Sequence, residues 1–242
     1  MSSSPPPRDA GQWAKPVDHL NVEAAPDGAV NLNVQGRQTM SPLQGFGQLW
    51  QKTYQIGLRG ASVSPADVIT VWKTRFPDFQ PPENRFFPSV AGVKPGEVVL
   101  INAMTPGGMV STGVRVMFSD DESFTLMTPQ GHPEAGWITF SAFERDGMTV
   151  AQVQSLARAN DPMYEIAFRV IGAKIQERIW HHVLTALAAH YQVREQVTMN
   201  KQCVDPRVQW SQVGNLRHNA QIHTLIYTVT KPLRRLARRT TW

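Results

Sequence analysis

Apolar residues along the chain follow two rhythms. Val30, Leu32 and Val34 alternate with Asn31, Asn33 and Gln35, the period of a strand with one buried face. Ser41-Pro42 then supplies an N-cap and a proline for the first helical position, and Leu43, Phe46, Trp50 and Tyr54 follow at helical spacing. Ser64-Pro65, with Asp67 in the first turn, marks a second helix start. Val68, Val71, Trp72 and Phe76 line one face of that helix, and Pro77 stops it. The rhythm turns to period two after Lys94-Pro95-Gly96. Strands are predicted over Val98–Ala103, Val110–Phe118, Phe124–Thr128, Trp137–Glu144 and Met148–Ala159. Asp120-Asp121-Glu122, Gly131–Gly136 and Arg145-Asp146-Gly147 are the turns between them.

Asp161-Pro162 caps a long helix predicted to reach about Val193. Its apolar stripe, Met163, Ile166, Ala167, Val170 and Ile171, moves to another side after Gly172, where Ile179, Trp180, Val183, Leu184 and Leu187 continue it. Either the helix bends near Gly172 or its halves pack against different elements. Strand, two short helices, antiparallel meander and long helix make an α+β order. A single antiparallel sheet has an apolar face that must be covered, and a long helix laid across a curved sheet covers it. The expected fold is therefore a helix grip, with Val30–Val34 and Met148–Ala159 in one sheet and the helix from Pro162 on its concave face. The divisions are 1–28 as a disordered lead-in rich in Pro, Ser, Ala and Asp, 29–195 as the domain, and 196–242 as a C-terminal extension.

The net charge of +5 suggests a nucleic-acid partner until the charges are located. Lys231, Arg234, Arg235, Arg238 and Arg239 lie together near the C-terminus, and the remaining 19 basic residues match the 19 acidic ones. A neutral body argues against nucleic acid. Around the cluster, Ile222, Leu225, Ile226, Val229, Leu233 and Leu236 recur at three- and four-residue steps, a basic amphipathic helix interrupted at Pro232. Peripheral membrane contact, self-association through 219–239, or docking on the domain are the alternatives for that stripe. No apolar run is long enough to span a bilayer and no secretory signal is apparent, so a cytoplasmic location is expected.

Candidate chemistry is sparse. Adjacent His181 and His182 diverge on a helix, and His218 and His223 miss the i, i+4 spacing of a helical zinc pair, so neither metal nor cofactor is expected. His132 and Glu134 share one turn and read either as an acid–base pair at a cavity mouth or as loop residues facing water. No set of residues reads as a nucleophile with its base. The aromatic set is more informative: Trp72, Phe76, Phe118, Phe124, Trp137, Phe140, Tyr164 and Phe168 lie on elements that should converge. With His132 and Asn102 they are the candidate cavity residues, and Thr112, Thr139, Gln152 and Gln154 are further polar candidates.

Three segments carry a resemblance. They are Gly92–Val99, Gly131-His132-Pro133-Glu134-Ala135-Gly136 ahead of a strand ending in Phe140, and Ser155–Pro162 leading into the long helix. Across Gly92 to Val193 the chain resembles a bacterial and plant family known as domain of unknown function 1990. More widely, the element order resembles the START/polyketide-cyclase superfamily. That resemblance implies a cavity for a hydrophobic ligand, and in some members cyclisation or dehydration within it; it does not extend over 1–28 or 200–242. The expected function is binding of an apolar small molecule such as a lipid, polyketide or isoprenoid. A cyclase or dehydratase using the same cavity, and an interaction protein with a filled core, are the alternatives.

Overall fold

The meander forms because its strands alternate and its turns have the right chemistry. Asp146 and Gly147 both take positive φ, 53° and 70°, as a two-residue hairpin turn requires. The Asp120 carboxylate accepts the backbone N–H groups of Glu122 and Ser123 and closes another hairpin. The computed structural model describes the backbone of residues 10–237 and the side chains of residues 10–231. Its strands are β1 Leu49–Gly57, β2 Asn84–Phe87, β3 Val98–Thr105, β4 Gly108–Ser119, β5 Ser123–Met127, β6 Glu134–Arg145, β7 Met148–Ala159 and β8 Thr198–Asp205. They make one antiparallel sheet in the order β2-β3-β4-β5-β6-β7-β1-β8. The helices are α1 Pro65–Thr74, α2 Pro162–Ala167, α3 Ala173–His190 and α4 Ala220–Ala237.

One face of the sheet buries the main core. Tyr54, Ile56, Val99, Val116, Phe124, Phe140 and Val153 meet Val68 and Trp72 of α1 and Trp180, Val183, Leu184 and Leu187 of α3. The long helix is seated on this inner face, as a helix grip requires. α2 and α3 are joined by a π-turn at Phe168–Gly172, where the Ala173 N–H reaches back to the Phe168 carbonyl. A π-turn holds one residue more than an α-turn and rotates the helix beyond it. The expected stripe holds only beyond Gly172, where Trp180, Val183, Leu184 and Leu187 are buried; before it Ile166, Val170 and Ile171 are exposed, and α2 buries Tyr164 and Glu165 instead.

The structure corrects several expectations. Residues 30–34 form bends rather than a strand, and the first strand is β1, in the segment expected to be helical. Phe46, Trp50 and Tyr54 are four apart, a spacing that fits one helix face and equally one strand face. The inward position between Trp50 and Tyr54 is a lysine, Lys52, which hides the alternation. Of the two short N-terminal helices α1 forms as expected, and the first starts at Ser41-Pro42 but is only one 3-10 turn, Pro42–Gln44. From Ala10 onward the expected disordered lead-in lies over the outer face of β2–β4, where Leu20 and Val34 bury against Phe87, Val98 and Leu100. Residues 1–9 lie outside the described part. The segment from 196, expected as an extension, supplies β8, which pairs with β1.

α4 begins in a gap of the sheet. β5 pairs with β4 only over Arg115–Ser119, so the earlier part of β4 has no strand on that edge. The Ser111 N–H there donates to Thr224 Oγ1 at 3.1 Å, and the Ser111 carbonyl accepts from Asn33 Nδ2 at 2.7 Å. Asn33 Nδ2 also donates to Thr224 Oγ1 at 3.1 Å. Asn219 caps α4, its Oδ1 accepting the Ile222 N–H and its Nδ2 donating to Asp161 Oδ2. The first turn of α4 is thus built into the domain. Leu225, Ile226 and Val229 of its apolar stripe are exposed, and the side chains of Leu233, Leu236 and the four arginines lie outside the described part.

Candidate functional site

The inner face is filled at one end and open at the other. At the filled end Phe124 and Phe140 stack with centroids 4.7 Å apart, and Trp72, Phe76 and Trp180 meet Phe140 edge-on at 5.2, 5.2 and 5.8 Å. Beyond this plug lies a cavity of about 440 Å³. Phe86, Ile101, Val110, Val114, Leu126 and Ile138 line it from the sheet, and Met163, Phe168, Ile171, Ile175, Ile179 and Trp180 from the helix. The π-turn is part of its wall. Exposed Pro106, Gly107, Ala167 and Ile171 mark its mouth, between the β3–β4 hairpin and the helix. Gln221 of α4 ties that mouth together: Nε2 donates to the Gly107 carbonyl at 3.0 Å, Oε1 meets Thr105 Oγ1 at 3.0 Å, and its N–H donates to the Tyr164 hydroxyl at 2.9 Å.

Of the candidate cavity residues, His132, Trp137, Tyr164 and Phe168 line this space, as does Thr112. Trp72, Phe76, Phe124 and Phe140 form the plug instead. Phe118 lies on the outer face against Trp13, centroids 4.7 Å apart. Its alternation with Val114 and Val116 suggested the inner face, but β4 takes one extra residue between Val116 and Phe118 relative to β5, and that bulge reverses the facing. Asn102 is also outward, donating to the Gly28 carbonyl. Thr139, Gln152 and Gln154 bond Thr125, Ser141 and Thr53 on the outer face.

One polar cluster interrupts the apolar wall. Lys52 Nζ donates to Gln176 Oε1, and Gln176 Nε2 donates to Glu134 Oε2 at 2.5 Å. Burial pushes the Glu134 carboxyl above its ordinary value, against the pull of Lys52 and the Gln176 bond. Burial likewise lowers the Lys52 ammonium, partly offset by Glu134. His132 Nδ1 accepts the Glu134 N–H at 3.0 Å, and burial lowers its pKa to about 4, so the ring is neutral at pH 7. His132 and Glu134 are therefore brought together by backbone rather than as a side-chain acid–base pair. Gly131, in the left-handed region at φ 85°, lets this turn pack against the His218 carbonyl, where a side chain would collide. Chemically, the cluster offers a buried acid, an amide and an ammonium at the edge of an apolar chamber.

Sequence reasoning did not find Lys52 or Gln176, because each is ordinary in its own element and the sheet register brings them together. Among the described residues no group of three His, Cys, Asp or Glu could hold a metal ion. His218 and His223 instead direct Nδ1 at Arg37, at 2.5 and 3.3 Å.

No family model and no curated protein sequence matches the chain, so its resemblance to domain of unknown function 1990 has no support. Among solved structures, Ara h 8.0201 is similar over 60% of this chain and 98% of its own, at 11% identity and a TM-score of 0.43. The di-domain ARO/CYC StfQ from the steffimycin biosynthetic pathway is similar over 60% of this chain and 51% of its own, at 11% identity and 0.46. Major latex-like protein 151 from Panax ginseng is similar over 61% and 100%, at 13% identity and 0.38. The helix-grip architecture rests on the strand order and on the long helix seated against the inner face.

Proposed function

We propose that the protein binds an apolar small molecule in the cavity between sheet and long helix. One observation carries this reading: a space of about 440 Å³ is walled almost wholly by aliphatic and aromatic side chains and opens at a mouth held by Gln221. Ligand pockets fall in the range of about 300–1,000 Å³ and have this composition. A core meant to be filled would close the space, because a void forfeits contacts along its whole lining. A co-purifying ligand should appear in native mass spectrometry as a mass excess released by mild activation. A bare mass, together with no thermal shift across a panel of lipids, polyketides and isoprenoids, would overturn the reading.

A catalytic variant of this reading is favoured by Glu134 alone, a buried carboxyl with a raised pKa on the cavity wall. Turnover of a bound ligand that is lost in Glu134→Gln, with ligand affinity kept, would establish it. Peripheral membrane contact or self-association through 219–239 is a separate proposal, supported by the exposed Leu225, Ile226 and Val229. No helix among the described residues is long and apolar enough to cross a membrane. Salt-sensitive sedimentation with anionic liposomes would support surface contact, and concentration-dependent dimerisation would support self-association.

A further inference from the structure

Part of the cavity wall is shared with a neighbouring cleft. Glu134, Ser155, Ala157 and Phe168 also line a second cleft of about 180 Å³ on the side of β1 and β8. The charged side chains of that cleft are Lys52, Arg158, Arg169 and Lys201, against Glu134 and Glu165. Three of the four cations have a carboxylate partner: Arg158 with Asp205 at 3.3 Å, Arg169 with Glu165 at 2.7 Å and Lys201 with Glu177 at 3.5 Å.

Lys52 is different. It is 6% exposed, and no carboxylate among the described residues lies within ion-pair distance of its ammonium. Its bond goes to the Gln176 amide, with Glu134 on the far side of that amide. An ammonium carries three donors, so two remain for another acceptor. Lys52 also sits directly opposite Lys201 in the β1–β8 register. Like charges placed opposite each other across strands repel, and Glu134 and Glu177 offset the burial of the Lys52 ammonium only through space, with no direct ion pair. A carboxylate in direct contact with both ammonium groups would relieve the repulsion and give Lys52 the ion pair that Glu177 already gives Lys201.

We propose that cavity and cleft together hold an amphipathic monocarboxylic acid, its apolar chain in the cavity and its carboxylate in the cleft against Lys52 and Lys201. This rests on the reading of the cavity as an apolar ligand site and names the ligand class. A monoanion fits better than a doubly charged phosphate monoester, which would face Glu134, Glu165 and Glu177.

The test is competition of hexadecanoic acid and hexadecan-1-ol against the uncharged probe N-phenyl-1-naphthylamine, in wild type, Lys52→Met and Lys201→Met. Wild type should bind the acid at least about tenfold more tightly than the alcohol, as a charge-assisted hydrogen bond implies. Lys52→Met should erase the preference with alcohol affinity kept, and Lys201→Met should narrow it. Equal binding of acid and alcohol by wild type would overturn the headgroup proposal and leave the cavity reading standing. A preference that survives both substitutions would place the carboxylate elsewhere and overturn it too. If Lys52→Met does not fold, an unchanged preference in Lys201→Met does the same. Failure of probe, acid and alcohol alike would overturn the cavity reading and the proposal with it.

Discussion

Thr224→Val tests whether α4 is a structural part of the sheet. Thr224 is fully buried, and its hydroxyl oxygen accepts from the Ser111 N–H and from Asn33 Nδ2, each at 3.1 Å. Valine keeps the shape and removes the acceptor. The Ser111 N–H then has no partner, because it points along the edge of β4 that β5 does not reach. A buried donor left unsatisfied costs about 1–3 kcal/mol. Asn33 Nδ2 keeps the Ser111 carbonyl and, at 3.3 Å, the Ala220 carbonyl, so its loss is smaller. The expected destabilisation is about 2–3 kcal/mol, which for a chain of this size lowers Tm by roughly 4–12 °C. Thermal melts followed by circular dichroism measure it, with Thr224→Ser as the control that keeps the hydroxyl and loses a methyl group. A Tm within a degree of wild type, or equal damage from serine and valine, would refute the claim that α4 completes the open edge of β4.

Removing Asn219–Trp242 altogether should lower Tm by more than Thr224→Val, because it also uncovers Asp161 and takes away the Gln221 bonds at the mouth; an unchanged Tm would count against the docked first turn. Gln176→Leu should cost about 2–3 kcal/mol in urea denaturation, since both of its bonds involve ionisable partners; a loss under about 0.5 kcal/mol would show the bridge to be incidental. His132→Asn should alter the pH dependence of stability. The imidazole has a folded pKa of about 4 against 6.5, so between those values the unfolded chain binds the extra proton. The favourable contribution of the neutral ring is fully present above about pH 6.5 and is lost as pH falls toward 4. Wild-type stability should therefore drop about 3 kcal/mol more than that of His132→Asn between pH 7 and 4, and parallel profiles would contradict this.

The meander, α1 and the long helix were legible because each is specified locally. Ser64-Pro65-x-Asp67, Asp161-Pro162 and Asp146-Gly147 fix starts and turns by their own side chains. β1 was misread because steps of four satisfy helix and strand alike and an inward Lys52 conceals the alternation. β8 carries no apolar alternation, as an edge strand with half-exposed side chains need not. Phe118 was placed on the wrong face because the bulge that turns it outward is a property of the β4–β5 pair and not of β4. At the site, Tyr164 and Phe168 could be named as aromatics on a converging element and His132 from its turn, whereas the apolar period of the helix pointed to Ile166, Val170 and Ile171, which are exposed. The Lys52–Gln176–Glu134 cluster joins residues from β1, α3 and β6 that only tertiary structure brings within reach.

If the protein binds an apolar molecule as proposed, the space behind Ile101 and Ala103 must admit it. Ala103 faces the cavity from β3, and Ala103→Trp places an indole inside it without touching the aromatic plug. Fluorescence titration of N-phenyl-1-naphthylamine against the two proteins is the direct measurement. Wild type should show saturable, one-to-one, blue-shifted binding, lost in an Ala103→Trp protein that melts at the same temperature or higher. Equal binding by both proteins, or none by wild type, would contradict the proposal.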